Sequence, residues 1–469
     1  MKRRDFLLKG ILTAGAVPFA GHLSYGNTDE SNLNEFSRST ARNIIFLVSD
    51  GMSSGTLAMA DHLFKRKMGR HSTWIQLYHD KKITRAIMDT ASADSLVTDS
   101  AAAASAWGGG VRVPNGSLNI GANGEKYEPI LQKFKAAGKS VGCVTTVPIT
   151  HATPAGFCVN IKSRNQQNEI AEEYKSLKFD VMMGGGNEYF NKDTRTDKRD
   201  MYAEFSAEGF QVVRDKKSMQ SALPGSPILG VFYDSGLPYT IDQQSDAIIS
   251  STVPTLAEMT RKAIECMSQN KKGFVLQVEA GKVDWAAHGN DCAGLLYDQI
   301  AFDDAVTEAI AFAEKDKKTL VIITTDHGNG NPGLISGSKA DSNFDRFFNV
   351  RHSNEWLLGQ IKRGDSVSAV REKIDQAWGV GVKADEASEI HSFYNEMKAN
   401  GDPSDIKKPF RQLAQLQEKY FSVGWACMQH TSDYVEFAAY GPGKDIFHPF
   451  LLNTDVHNLL LKVTGVLGK

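Results

Sequence analysis

Ser100 follows Thr98-Asp99 and precedes the run Ala101-Ala102-Ala103-Ala104, so it stands at the expected start of a helix. Unpaired backbone N–H groups and the positive end of a helix dipole gather at such a place, which suits a hydroxyl nucleophile that must meet an anion. The competing reading of Ser100 is a helix N-cap. Elsewhere the chain carries ligand-type residues: Asp50, His151 with Thr153, Glu279 with Asp284 and His288, Asp326-His327, and His430. Asp284 and His288 are four residues apart, so on a helical turn they face one way. Gly328 permits a tight reversal just after Asp326-His327. Any one of these histidines alone would ordinarily be a packed or surface residue. Together, beside several carboxylates, they supply the oxygen and nitrogen ligands of a hydrolytic zinc or magnesium site.

These residues need a scaffold that brings distant parts of the chain to one place. Apolar runs over 43–49, 141–147, 179–183, 228–233, 274–278, 320–325 and 435–439 read as buried strands, and 165–177, 255–267 and 297–313 read as helices. Continuous apolar strands separated by helices predict an α/β fold, with a large, mostly parallel central sheet covered by helices on both faces. Ligands in such sheets bind outside the carboxyl ends of the strands. Three of the expected strands run straight into acidic residues: Asp50, then Glu279 and Asp284, then Asp326-His327. A fourth leads to His151-Ala152-Thr153. From 331 to 421 the composition turns to charge, Gly, Ser and Asp, with helical stretches at 354–360, 388–398 and 405–420 that lack partner strands. This segment reads as a crown-like subdomain inserted near the active edge of a catalytic domain formed by 36–330 and 422–469.

The chain opens Met1-Lys2-Arg3-Arg4-Asp5-Phe6, followed by a mildly apolar run over 10–20. Paired arginines before a short apolar segment read as a twin-arginine export signal, with residues 1–35 as leader and a periplasmic or secreted product. No later stretch reaches the length of a membrane span, so no anchor is expected after signal removal. Net charge is -2 with Lys and Arg scattered, which argues against a nucleic-acid face. The five cysteines, at 143, 158, 266, 292 and 427, are too few and too widely spaced for a disulfide scaffold.

The order and intervals of several pieces resemble the bacterial and animal alkaline phosphatases from about Arg42 to about Gly443. These pieces are Ser49-Asp50-Gly51-Met52, Thr98-Asp99-Ser100-Ala101-Ala102, Thr150-His151-Ala152-Thr153-Pro154-Ala155 with Ser163-Arg164, Val278-Glu279 with Asp284 and His288, Thr325-Asp326-His327, and His430-Thr431 with Ala438-Ala439-Tyr440-Gly441-Pro442. The resemblance implies a metal-dependent phosphomonoesterase that uses two zinc ions and one magnesium ion. Ser100 would be the phosphorylated nucleophile. Asp284, His288 and His430 would hold the first zinc, and Asp50, Asp326 and His327 the second. Asp50, Thr153 and Glu279 would hold magnesium, with His151 close by. Arg164 would clamp the phosphate and Asp99 would orient it. Phosphate monoesters and inorganic phosphate are the implied small-molecule partners, and a homodimer stays open.

The chain departs from the most familiar bacterial pattern at two places, with His151 where that pattern has aspartate and Trp285 where it has lysine. The first change is expected to weaken magnesium. The second removes a cationic contact from the substrate pocket, so that product phosphate is held less tightly; the competing reading of Trp285 is a packing residue beneath the insertion. A sulfatase of the same fold would need a Cys- or Ser-x-Pro-x-Arg segment, which Ser100-Ala101-Ala102 lacks. A phosphodiesterase of this superfamily and a non-catalytic periplasmic phosphate- or metal-binding protein are the remaining alternatives. Gly184-Gly185-Gly186 reads as a tight strand-to-loop connection, and His352, Phe347, Phe348 and Trp356 as rim candidates or ordinary packing.

Overall fold

The computed structural model describes residues 40–395 and 408–466. The leader expected over 1–35, and parts of the helices expected over 388–398 and 405–420, lie outside them. The described strands are β1 (Asn43–Ser49), β2 (Thr84–Asp89), β3 (Ser140–Pro148), β4 (Val181–Gly185), β5 (Gln211–Val213), β6 (Ile228–Val231), β7 (Phe274–Ala280), β8 (Thr319–Thr324), β9 (Gly328–Asn329), β10 (Pro332–Leu334), β11 (Val423–Trp425), β12 (His430–Thr431), β13 (Val435–Tyr440) and β14 (Phe450–Leu452).

Ten of them form one sheet in the order β14-β2-β13-β8-β1-β7-β3-β4-β6-β5. Every neighbouring pair is parallel except those made by β13, which runs antiparallel to β2 and β8. β1, β3, β7 and β8 are buried along their whole length, as strands covered on both faces must be. Along β1 the pleat sends Ile45 and Leu47 into one core and Ile44, Phe46 and Val48 into the other. Helices Ser54–Met68, Leu256–Met267 and Cys292–Asp316 cover the first face, and Ser100–Gly109, Ala152–Cys158 and Asp455–Val463 the second.

Register sets the chemistry at one height. Val48 pairs with Glu279 on β7 and with Thr324 on β8, and Thr145 on β3 also pairs with Glu279. Asp50, Glu279, Asp326 and the turn to His151 therefore emerge together from four adjacent strands, β8-β1-β7-β3.

β2, β5 and β14 were not legible as strands, being short or, like β2 with only Ala86 and Met88 buried, only partly buried. The long helix Cys292–Asp316 begins five residues before its expected start at 297, because Asp291 caps it by accepting from Gly294 N. Over 331–421 the described helices are Ala340–Phe344, Asn354–Gln360, Val367–Trp378, Ala384–Asn395 and Phe410–Phe421. Their apolar residues, including Leu357, Ile374, Trp378, Leu413 and Phe421, continue the first core.

The Ser100–Gly109 helix is buried almost throughout, which explains its composition. A Cβ on Gly108 would lie 1.9 Å from the Gly156 carbonyl oxygen, and one on Gly156 would lie 2.5 Å from Ala104 Cβ. Only bare backbone lets this helix and Ala152–Cys158 approach so closely. Trp107 then fills the space beneath, with Phe46 and Phe157 at centroid distances of 5.1 and 6.1 Å. Gly156→Ala is expected to destabilise the fold by about 1–3 kcal/mol through overpacking. A lowered denaturation midpoint checks this; an unchanged midpoint would show that the contact can relax.

Candidate active site

Asp99, not Ser100, caps the Ser100–Gly109 helix: its Oδ1 accepts from Ala102 N at 2.9 Å. That leaves the Ser100 hydroxyl free of capping duty. Its Oγ lies 3.2 Å from His327 Nε2, and the residue is 1% exposed.

Asp50, Glu279, Asp284 and Asp326 are all at most 4% exposed. Asp50 Oδ1, Asp326 Oδ2 and Glu279 Oε1 have no hydrogen-bond partner among the described residues. Burial pushes the carboxyl of Asp50 well above the usual range, reinforced by the charges of Asp326, Asp284 and Glu279. It raises Glu279 to about 7 and Asp326 to about 6. Unpaired carboxylates held together out of water are costly unless a cation joins them.

The imidazoles show where such cations fit. His288 Nδ1 donates to Met428 O and His430 Nδ1 to Thr98 O, each at 2.9 Å. The neutral tautomer of each ring is thereby fixed with its lone pair on Nε2. Those two Nε2 atoms face each other at 3.1 Å, each 3.5 Å from an oxygen of Asp284. Two lone pairs and a carboxylate converging on one point form a cation site. His327 Nδ1 similarly faces Gly328 O at 3.3 Å, so its Nε2 lone pair turns to Asp326 Oδ2 at 3.3 Å and Asp50 Oδ1 at 3.5 Å. Burial holds His327 and His430 near 4, which keeps both lone pairs free. Nitrogen and oxygen donors of this kind suit zinc. The His430 ring stacks on His327 at 3.7 Å, so the two sites adjoin.

A third group joins Asp50, Glu279 and His151. Thr153 Oγ1 donates to Asp50 Oδ2 at 3.2 Å, and Thr145 Oγ1 donates to Glu279 Oε2. An oxygen-rich set of this kind suits a hard cation such as magnesium. Arg164 Nη2 lies 3.1 Å from His151 Nε2, and a guanidinium only donates. The His151 Nε2 lone pair therefore faces Arg164 and its proton lies on Nδ1. Burial first, and Arg164 second, lower His151 to about 3.

Arg164 Nη1 donates to Asp99 Oδ2 at 3.0 Å. Burial alone would raise the Asp99 carboxyl, but Arg164 and the N–H groups of Ala102 and Gly116 hold it below the usual range. Trp285 lies edge-on to His151, with ring centroids 6.2 Å apart. His352, a rim candidate, instead stacks on Trp356 at 3.6 Å and meets Asp242 at 3.2 Å.

Several contributors had no separate signal in the sequence. Asn329 Nδ2 donates to Asp284 Oδ1 at 2.7 Å, and Gly51 N donates to Asp326 Oδ1 at 3.0 Å. Gly51 has φ +68°, and a Cβ there would meet Asp284 Oδ1 at 2.6 Å, so glycine is required. Gly51 and Asn329 both lie beside ligand-type residues, and that adjacency was the available clue.

The family model described as alkaline phosphatase matches residues 41–466. Alkaline phosphatase 4 of Bacillus subtilis is 32% identical over 463 residues, covering 97% of this chain and 94% of that protein. The crystal structure of Thermus thermophilus alkaline phosphatase superposes with a TM-score of 0.83 at 33% identity, covering 91% of this chain and 92% of that one. The cold-active alkaline phosphatase of a psychrophilic Shewanella species superposes at 0.76 with 25% identity, covering 91% and 100%.

The raised carboxyls make cation binding pH-dependent. Below pH 6 Glu279 and Asp326, at about 7 and 6, hold protons that a cation must displace, so affinity falls with pH. In the metal-free chain the same two groups favour the folded state at low pH, and that contribution is lost as pH rises through 6 to 7. Added zinc should therefore raise the melting temperature of metal-free protein by roughly 5 °C or more at pH 8. At pH 5.5 the rise should be much smaller. Equal stabilisation at the two pH values would show that these carboxyls do not bind the ion.

Proposed function

The chain belongs to the alkaline phosphatase family and is a phosphate-hydrolysing enzyme; on that premise we propose that it cleaves phosphate monoesters through a phosphoserine on Ser100. The observation that carries this reading is the Ser100 hydroxyl itself, relieved of capping by Asp99 and 3.2 Å from His327 Nε2 among buried, unpaired carboxylates. Asp284, His288 and His430 would hold one zinc, and Asp50, Asp326 and His327 the other. Asp50, Thr153 and Glu279 would hold magnesium. When bound, the zinc ions supply Lewis acidity at the attacking and leaving oxygens and lower the pKa of water.

Ser100 Oγ attacks phosphorus in line, forming the Oγ–P bond as the bond to the leaving alcohol oxygen breaks. Water then attacks the phosphoserine and inorganic phosphate leaves. The N-terminal end of the Ser100–Gly109 helix favours the anion in both steps. Arg164, held in plane by Asp99 and His151, presents its remaining N–H groups to two phosphoryl oxygens. The strong motifs supply phosphate and metal ligands, which supports a broad range of monoesters. The paired Arg3-Arg4 supports export by the twin-arginine route to the periplasm or beyond. Among the described residues no helix is long and apolar enough to cross a membrane.

Ser100→Ala should lower turnover by about 10³-fold while leaving zinc content intact. Radioactive phosphate should become trapped on Ser100 of the parent enzyme in acid. Unchanged turnover, or no trapped phosphate, would overturn the nucleophile. Diester hydrolysis faster than that of the matched aryl monoester would move the reading to a phosphodiesterase.

Arg164→Ala should be milder, costing about 2–3 kcal/mol in transition-state binding with weaker inhibition by phosphate. If phosphate inhibits the variant as well as the parent, Arg164 is not the clamp.

A further inference from the structure

Lys282 begins the helix Lys282–His288, three residues before Trp285 and so on a neighbouring part of its surface. Its side chain is only 3% exposed. The ammonium lies 3.7 Å from the centroid of the Tyr239 ring and 4.8 Å from that of Trp285. Its anion is Glu355 Oε2 at 3.4 Å, on the first turn of Asn354–Gln360 in the 331–421 segment. Attraction between a cation and a ring face grows as water is excluded, so this ammonium fixes the Trp285 ring from behind. Gly236 forms the floor: a Cβ there would come 2.8 Å from Trp285 Cζ3 and 3.3 Å from Lys282 Cδ.

The consequence runs to the phosphate clamp. Arg164 has two supports, Asp99 and His151. Asp99 is fixed by backbone N–H groups of Ala102 and Gly116. His151 is less secured, because its Nδ1 is buried without a hydrogen-bond partner among the described residues. Besides Arg164 and the neighbouring carboxylates Asp50 and Glu279, its ring meets Trp285 edge-on, at an interplanar angle of 77°. We propose that Lys282 is a positioning residue for phosphate binding, acting through Trp285 and His151 on Arg164, and that Glu355 ties the 331–421 segment to that clamp. The inference rests on the reading of Arg164 as the phosphate ligand.

The test uses the metal-loaded, full-length enzyme, p-nitrophenyl phosphate as substrate and inorganic phosphate as inhibitor. Lys282→Met should raise KM and the phosphate inhibition constant together by about 3- to 10-fold, part of the roughly 30-fold scale of one desolvated cation–π contact, without lowering kcat. Lys282→Arg should restore both constants to within about twofold, since it keeps a cation over the rings. In a Trp285→Leu background Lys282→Met should add almost nothing, because the route through the indole is already broken. Glu355→Gln, at an exposed position that does not threaten folding, should shift the inhibition constant the same way by about twofold at low salt.

An unchanged inhibition constant in Lys282→Met with normal melting and metal content overturns the proposal. So does full additivity with Trp285→Leu, or a Lys282→Arg variant as impaired as Lys282→Met. If Lys282→Met does not fold, an unchanged inhibition constant in Glu355→Gln at low salt overturns the link to the segment. A parent enzyme that hydrolyses no monoester would instead sink the functional reading on which this rests.

Discussion

Four carboxylates, Asp50, Glu279, Asp284 and Asp326, are brought together out of water at one end of a parallel sheet, and their mutual repulsion is the constraint around which the molecule is arranged. Burial favours protons on Asp50, Glu279 and Asp326, whose carboxyls are raised, whereas burial alone would raise Asp284 but its histidine neighbours hold it below the usual range. A divalent cation reverses the balance by making each carboxylate worth keeping ionised. The surrounding hydrogen bonds hold these side chains in advance of any ion. Gly51 N fixes Asp326, Asn329 fixes Asp284 and Thr153 fixes Asp50. Carbonyl oxygens of Thr98 and Met428 set the tautomers of His430 and His288.

Ser100 is delivered to this charged corner by size, not by polarity. Alanines and glycines along Ser100–Gly109 contribute little side-chain volume, so the helix can lie against Ala152–Cys158 and the sheet at once. Close packing of this kind transmits small displacements, because an interior at crystal-like density has no slack to absorb them. Ser100 and Thr153, on the two touching helices, are thus held in a fixed relation through Gly108 and Gly156.

Arg164 shows how a single arginine acquires direction. Its two supports differ in character: Asp99 is anchored in a helix cap, whereas His151 leans on an aromatic ring whose own position depends on a buried lysine. The 331–421 segment enters the site electrostatically at this point, through Glu355.

The sequence by itself determined the strand-and-helix alternation, because fully buried parallel strands such as 43–49 and 320–325 must be continuously apolar. It also located Asp50, Glu279, Asp326 and His151, since acidic or imidazole residues directly after such runs fall at the strand ends. The helix-start position singled out Ser100, the His/acid groupings singled out His430, and the family motifs extended that reading to Arg164. Half-buried or very short strands, β2, β5 and β14, left no comparable trace. Only the tertiary structure decided which atoms face one another. The tautomers of His151, His288 and His430 and the need for glycine at 51 arise from groups distant in the chain, while the cap by Asp99 and the placing of Lys282 beside Trp285 are local but turn on side-chain directions. Each depends on angles and distances of a few ångström, which packing and strand register set and residue order alone does not encode.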